Sequence, residues 1–111
     1  MHLKLDGHAF LASLLPLKAK RKLPRATIRA CPHSMGKVAE VSCGDLRIDI
    51  PVFDRRSWSD TVEFDGGVLK SLASIPADDM FLDVFRIEVI AGRIVFAENF
   101  SVPANVIQGV A

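Results

Sequence analysis

A run of basic side chains between residues 18 and 25, KAKRKLPR, is the part of the sequence whose residue types best suit binding chemistry. The net charge of the whole chain is only +1, so any affinity for nucleic acid must come from a local patch of this kind. The alternative interpretation is structural, because cations near the C-terminus of a helix favour its dipole and short basic loops are usually solvated. The residues alone leave both interpretations open.

Two cysteines and three histidines could hold a disulfide or a metal, but their spacing favours neither. If residues 31–37, CPHSMGK, turn the chain between two antiparallel strands, Cys31 faces about Val38 and Cys43 faces about Ala26. The two thiols are then several rows apart, which is too far for a disulfide. Cys31, His33 and Cys43 also lack the paired spacing of zinc ligands. We therefore expect structural thiols in a reducing compartment, and neither a metal nor a cofactor.

The sequence carries no recognisable catalytic motif. It has no glycine-rich dinucleotide fingerprint, no P-loop, no nucleophile elbow and no HExxH zinc motif. Asp6 and Asp65 occupy equivalent places before two apolar segments, which favours helix capping over catalysis. Asp78 and Asp79 have the pattern of a polar loop or a helix cap. We therefore predict no catalytic residue and no enzymatic activity, and a small enzyme or ligand binder is the least favoured class.

Length and composition indicate a single domain over residues 1–111. Half of the 111 residues are hydrophobic and 24% are charged, which is typical of a globular protein. The N-terminal MHLKLDG lacks the apolar core of a signal peptide, and no apolar run approaches the length of a membrane span. The sequence thus predicts a soluble, cytoplasmic protein without a membrane partner.

The first half, residues 2–52, predicts a strand, a helix and then three strands. HLKL alternates, and Asp6 then precedes an apolar segment with helical spacing, in which Pro16 kinks or ends the helix. ATIRAC, VAEVSC and LRIDIPV follow as alternating strands. Residues 53–60, FDRRSWSD, break both periodicities and are interpreted as a linker. Trp58 is expected to pack over the domain edge, with a phosphate-and-stacking site at Arg55, Arg56 and Trp58 as the alternative.

The second half, residues 61–106, repeats the order of the first. LKLDG at residues 3–7 aligns without a gap with VEFDG at residues 62–66, and Gly44 is matched with Gly92. The pair Ile50-Pro51 corresponds to Val102-Pro103, and several such matches in one order indicate an internal duplication. Each half is then a β-α-β-β-β unit that cannot bury its helix and its sheet alone. We predict an α+β fold in which two helices pack on antiparallel sheet with pseudo-twofold symmetry.

This duplicated order, with the pattern DGxxLKSL from Asp65 to Leu72, resembles one domain of the DNA sliding clamps, such as the bacterial polymerase III clamp and proliferating cell nuclear antigen. The resemblance covers nearly the whole chain in topology and implies a DNA-clamp-like fold. It also implies that basic residues on and beyond the two helices contact duplex phosphates without base specificity. In this chain the residues implied are Lys18, Lys20, Arg21, Lys22, Arg25 and Lys70.

The resemblance thus implies a non-enzymatic, clamp-like binding and assembly module associated with double-stranded DNA. Because chains of that family hold two or three such domains, a ring of single domains needs several copies. We expect homo-oligomers formed through exposed sheet edges, with FSVPANVIQGVA, residues 100–111, as the candidate edge. The alternative is a protein-interaction domain that retains the clamp fold without binding DNA.

Overall fold

Eight antiparallel strands form a closed barrel in the computed structural model, in the order β1-β4-β3-β2-β5-β8-β7-β6. The structure describes residues 2–30, 38–56, 58, 61–74, 84–96 and 100–107. The strands are β1 (His2–Asp6), β2 (Arg25–Ala30), β3 (Val38–Cys43), β4 (Leu46–Arg56), β5 (Thr61–Asp65), β6 (Val84–Ile90), β7 (Arg93–Phe96) and β8 (Phe100–Ile107). Helix α1 (Gly7–Leu14) and a 3-10 helix (Leu15–Ala19) follow β1, and α2 (Gly67–Ala73) follows β5.

The closed barrel shows that the predicted fold class is wrong. The sequence predicted a DNA-clamp-like α+β domain, in which two helices pack on antiparallel sheet. The described strands instead close into one barrel, and the helices are short, with eight residues in α1 and seven in α2. Helices of this length are marginal by themselves and depend on packing for their stability. The barrel therefore dominates the architecture, and the helices are additions to it.

Closure of the barrel depends on two strands that change neighbours partway along their length. β4 pairs with β3 as far as Pro51 and with β1 from Val52 onward. β8 pairs with β7 as far as Pro103 and with β5 from Ala104 onward. Each change follows a proline, which lacks the N–H that a continuous ladder needs and is tolerated where pairing is interrupted. The two halves therefore have the same pairing pattern at their last strand.

A single hydrophobic core fills the space between the strands and the helices. Alternate residues of the strands contribute to it, including Leu5, Ile28, Val41, Ile50, Phe64 and Ile87. The ring of Phe10 on α1 packs against Phe85 on β6, with ring centroids 5.1 Å apart. Trp58 is 1% exposed and belongs to the same core, so its indole is not a surface for base stacking. Trp58 was predicted to pack over the domain edge, and it is instead buried inside the domain.

Strand β4 runs to Arg56 and thus includes the first part of residues 53–60, which were predicted to be a linker. The pairing register shifts within β1: Lys4 faces Asp54, whereas Leu5 faces Val52. Phe53 is therefore the extra residue of a β-bulge, and its side chain is 60% exposed. A bulge interrupts the alternation of inward and outward residues, so the strand lost its periodic signal at this point.

The turn glycines Gly44 and Gly92, which were aligned with each other, lie in different turns. Gly44 joins β3 to β4, and Gly92 joins β6 to β7. The turn at Gly44 is the third connection between strands in the first half, whereas the turn at Gly92 is the second connection in the second half. Both glycines have positive φ, 61° and 77°, a conformation that favours glycine. Their similarity therefore reflects a shared requirement of tight turns and not an equivalent place in the two halves.

Both helices begin at the same end of the barrel, which we call the helical end. Four antiparallel steps separate β1 from β5, so the two strands run in the same direction and finish together. α1 starts directly after β1, α2 starts after the single residue Gly66 that follows β5, and the two helices contact each other. β2 also starts here, since Arg25 faces Asp65. The segment between α1 and β2, which holds the basic run, consequently crosses this end.

Candidate nucleic-acid interface

The basic run follows a helix whose start and end were both predicted correctly. The Asp6 carboxylate caps α1 by accepting a hydrogen bond from the backbone N–H of Ala9 at 3.1 Å. The α-helix ends at Leu14, two residues before Pro16, and the chain continues as a 3-10 helix to Ala19. Leu17 is buried in the core and fixes this last turn. The exposed side chains beyond it form the basic connector, which we define as residues 18–25.

Main-chain atoms hold the basic connector in place. The N–H of Lys20 donates to the carbonyl oxygen of Leu17 at 3.2 Å and closes the 3-10 helix. The carbonyl oxygen of Lys20 accepts a hydrogen bond from the Lys70 ammonium. Further along, the carbonyl oxygen of Pro24 accepts from the Cys43 thiol at 3.8 Å. The side chains of the connector are therefore not needed for these three attachments.

Gly66 allows the connector to approach α2 closely. A Cβ atom at this position would lie 2.2 Å from the Pro24 carbonyl oxygen and 2.9 Å from the Cys43 sulfur. The φ of Gly66 is −64°, so the position needs glycine for space and not for backbone conformation. Gly66 is the N-cap of α2, and Asp65 beside it accepts from the Gly67 N–H at 2.9 Å. Asp65 was predicted to cap α2, but the N-cap is Gly66, and this glycine also makes room for the connector.

Four cations of the connector are exposed and have no ion-pair partner in the described part of the chain: Lys18, Lys20, Arg21 and Lys22. Arg25 differs from them, because its Nε lies 2.8 Å from the Glu63 carboxylate on β5. Both side chains of this pair are partly exposed, so the pair contributes little to stability. Glu63 nevertheless compensates the charge of Arg25.

The structure brings all six predicted residues to the helical end, but it gives them different environments. Lys18, Lys20, Arg21 and Lys22 face solvent, whereas Lys70 is partly buried and donates to the connector backbone. The sequence could not reveal this difference, because 50 residues separate Lys70 from its acceptor and 38 separate Arg25 from Glu63. Contact of these six residues with nucleic acid stays a prediction.

Cys43 lies beneath the connector and faces Ala26 across the strand pair, as the sequence predicted. Burial raises the pKa of the Cys43 thiol; the Lys20 cation opposes this effect and Asp65 adds to it. A neutral, buried thiol is a poor nucleophile and a poor metal ligand. Cys43 is free, while Cys31 lies outside the described residues. Among the residues that the structure describes, no cluster of His, Cys, Asp and Glu could hold a metal.

The C-terminal strand β8 pairs with two strands of its own chain. β8 was expected to be an exposed edge that pairs with other copies. It pairs with β7 over its first half and with β5 over its second half, so it completes the barrel of its own chain. The remaining residues of the candidate edge, 108–111, lie outside the described residues. Association of copies through this segment therefore stays a prediction.

No family model, curated protein or solved structure matches this chain. The resemblance to the DNA sliding clamps is therefore neither supported nor refuted by comparison with known proteins. The candidate interface rests on its own geometry: a connector with a fixed backbone and four exposed cations that have no ion-pair partner among the described residues.

Proposed function

We propose that this protein is a non-enzymatic module that binds double-stranded DNA through non-specific contacts to phosphates. One observation carries the proposal. The hydrogen bonds that hold the connector use its own main-chain atoms. They leave four side chains available to a ligand, those of Lys18, Lys20, Arg21 and Lys22. A backbone that is already ordered loses less entropy on binding. Unpaired cations release counterions from DNA when they neutralise its phosphates, and this release favours binding.

The composition of the connector favours a duplex over a single strand. Binding of single strands generally combines a basic groove with aromatic side chains on which bases stack. KAKRKLPR contains no aromatic residue, and the single tryptophan of the chain, Trp58, is buried in the core. Phosphate contacts without stacking suit the regular backbone of a duplex and carry no sequence preference. The proposed ligand is therefore duplex DNA of any sequence.

A protein-interaction domain is the second candidate, and one observation favours it. Leu15, on the 3-10 helix next to the connector, is 55% exposed. An apolar side chain beside a basic patch can contribute to an interface with an acidic protein surface. Self-association is kept as a prediction with less support, since each half of β8 already pairs with a strand of its own chain. None of the described helices is long and apolar enough to cross a membrane, and cytoplasmic localisation stays a prediction.

The proposal is tested by comparing two variants that remove the same charge from different places. One replaces Lys20, Arg21 and Lys22 of the connector by Gln. The control replaces Lys4, Arg86 and Arg93 by Gln, all on β1, β6 and β7 and outside the connector. Fluorescence anisotropy with a labelled duplex of about 20 base pairs, at about 50 mM salt, measures the affinity of each. Circular dichroism first verifies that both variants are folded.

We expect the natural protein to bind, the connector variant to lose at least about 100-fold in affinity, and the control to stay within about threefold. Equal losses in the two variants would mean that only bulk charge matters, and would contradict a site at the connector. Absence of binding by the natural protein at low salt would overturn the proposed function and favour the protein-interaction alternative.

A further inference from the structure

Lys70 lies where it can control the shape of the connector. It belongs to the last turn of α2, is partly buried, and donates from its ammonium to the carbonyl oxygen of Lys20. Lys20 is the C-cap of the 3-10 helix that ends the first helical segment. The C-terminal carbonyls of a helix attract cations, because they carry the negative end of its dipole. The bond thus joins α2, in the second half of the chain, to the start of the connector.

The N-cap of α2 also contacts the connector near its C-terminal end. Pro24 passes over Gly66, the N-cap of α2, at a distance that leaves no room for a Cβ atom. The thiol of Cys43, on the neighbouring strand β3, donates to the Pro24 carbonyl oxygen. The connector is therefore hydrogen-bonded to α2 at Lys20 and to β3 at Pro24, where it also packs closely against Gly66. Arg21 and Lys22 lie between the two attachments.

We infer that Lys70 is a positioning residue, which fixes the backbone of the connector so that its cations face the DNA, and that it does not contact phosphate itself. This inference rests on the proposed function and refines it. The sequence had placed Lys70 among the phosphate contacts. The hydrogen bond to Lys20 instead directs its ammonium toward the protein, and this bond would have to break before Lys70 could reach a phosphate.

The two roles predict different dependences on salt. Each phosphate contact made by a cation adds about −0.9 to the slope of log binding constant against log salt concentration. Loss of a phosphate contact therefore makes the slope shallower. Loss of a positioning residue instead increases the entropy that the connector loses on binding, which lowers affinity by the same factor at every salt concentration. The slope then stays unchanged.

The experiment compares Lys70→Met with Lys18→Met and Lys70→Arg in titrations of duplex DNA across a range of salt. Met keeps the unbranched apolar stem of lysine and removes its charge and its donors. We expect Lys70→Met to lower affinity about three- to tenfold with an unchanged slope, and Lys70→Arg to restore most of the affinity. Lys18→Met, which removes an exposed connector cation, should make the slope shallower by about 0.9. A loss of about 0.9 in the slope for Lys70→Met would overturn the inference.

A second measurement needs no DNA and separates this inference from the proposed function. The amide of Lys20 donates to Leu17 within the 3-10 helix, so its hydrogen exchange reports on the order of that turn. We expect exchange at this amide to be about three- to tenfold faster in Lys70→Met and unchanged in Lys18→Met. Unchanged exchange in Lys70→Met would contradict the positioning role. If the natural protein does not bind DNA, the proposed function fails, and the exchange rates still decide whether Lys70 orders the connector.

Discussion

Two adjacent glycines at the start of α2 illustrate how closely single residues control the candidate interface. Gly66 lies directly under the connector, and a Cβ atom there would overlap the Pro24 carbonyl oxygen. Among the described residues, the near neighbour of a Cβ on Gly67 would be the Asp65 carboxylate, at 3.3 Å, and that side chain can move. The backbone of Gly66 is helical, so any penalty for a side chain at this position measures the contact with the connector. The pair offers a matched test at neighbouring positions.

We expect Gly66→Ala to lower the free energy of unfolding by about 2 kcal/mol, because the connector or α2 must shift to admit the methyl group. Gly67→Ala should leave stability unchanged or raise it by up to about 1 kcal/mol, since alanine restricts the unfolded chain and favours helix. Urea denaturation of the two variants measures both effects. Equal stabilities would show that the connector does not depend on close approach at Gly66.

The helical elements depend on caps at their ends more than on intrinsic helix preference. α1 has eight residues, and its carboxylate cap at Asp6 satisfies one of the free N–H groups of the first turn. α2 has seven residues, and its N-cap, Gly66, provides no side-chain cap. Asp65 therefore resembles Asp6 in sequence and differs from it in structure, since it accepts from Gly67 at an exposed position. The sequence pattern alone could not separate these two uses of aspartate.

Replacement of the two aspartates should reveal this difference. We expect Asp6→Ala to lower the free energy of unfolding by about 1 kcal/mol and Asp6→Asn to retain most of it, because the asparagine oxygen can also accept the hydrogen bond. Asp65→Ala should cost less than about 0.5 kcal/mol, since it removes no N-cap. Chemical denaturation, followed by circular dichroism, measures the free energy of unfolding of each variant. A larger loss for Asp65→Ala than for Asp6→Ala would contradict the assignment of the caps.

At the scale of the whole molecule, local patterns predicted the elements and failed to predict their closure into a barrel. The alternation of LRIDIPV and TVEF correctly indicated strands, and Pro16 correctly marked the end of α1. The barrel depends instead on pairs that are distant in sequence, such as Ala104 with Phe64 and Val52 with Leu5. Strand periodicity shows which residues face inward, but it does not specify the neighbouring strand. The α+β prediction failed for this reason.

The candidate site was predictable in composition and unpredictable in arrangement. A cluster of cations is visible in KAKRKLPR without any structure. The pairing of Arg25 with Glu63 and the bond from Lys70 to Lys20 depend on the fold, and they are the reason why we propose that only four of the six cations contact phosphate. The four cations that stay unpaired in the described residues now define a quantitative expectation for the whole protein.

The salt dependence of duplex binding by the natural protein tests the central claim most directly. Titrations between about 50 and 200 mM salt give the slope of log binding constant against log salt concentration, and four phosphate contacts predict a slope of about −3.6. A slope near −5.4 would mean that Lys70 and Arg25 also contact phosphates, and would contradict the division of roles among the six cations. A slope near zero, or no binding at low salt, would contradict the proposal that the connector binds DNA.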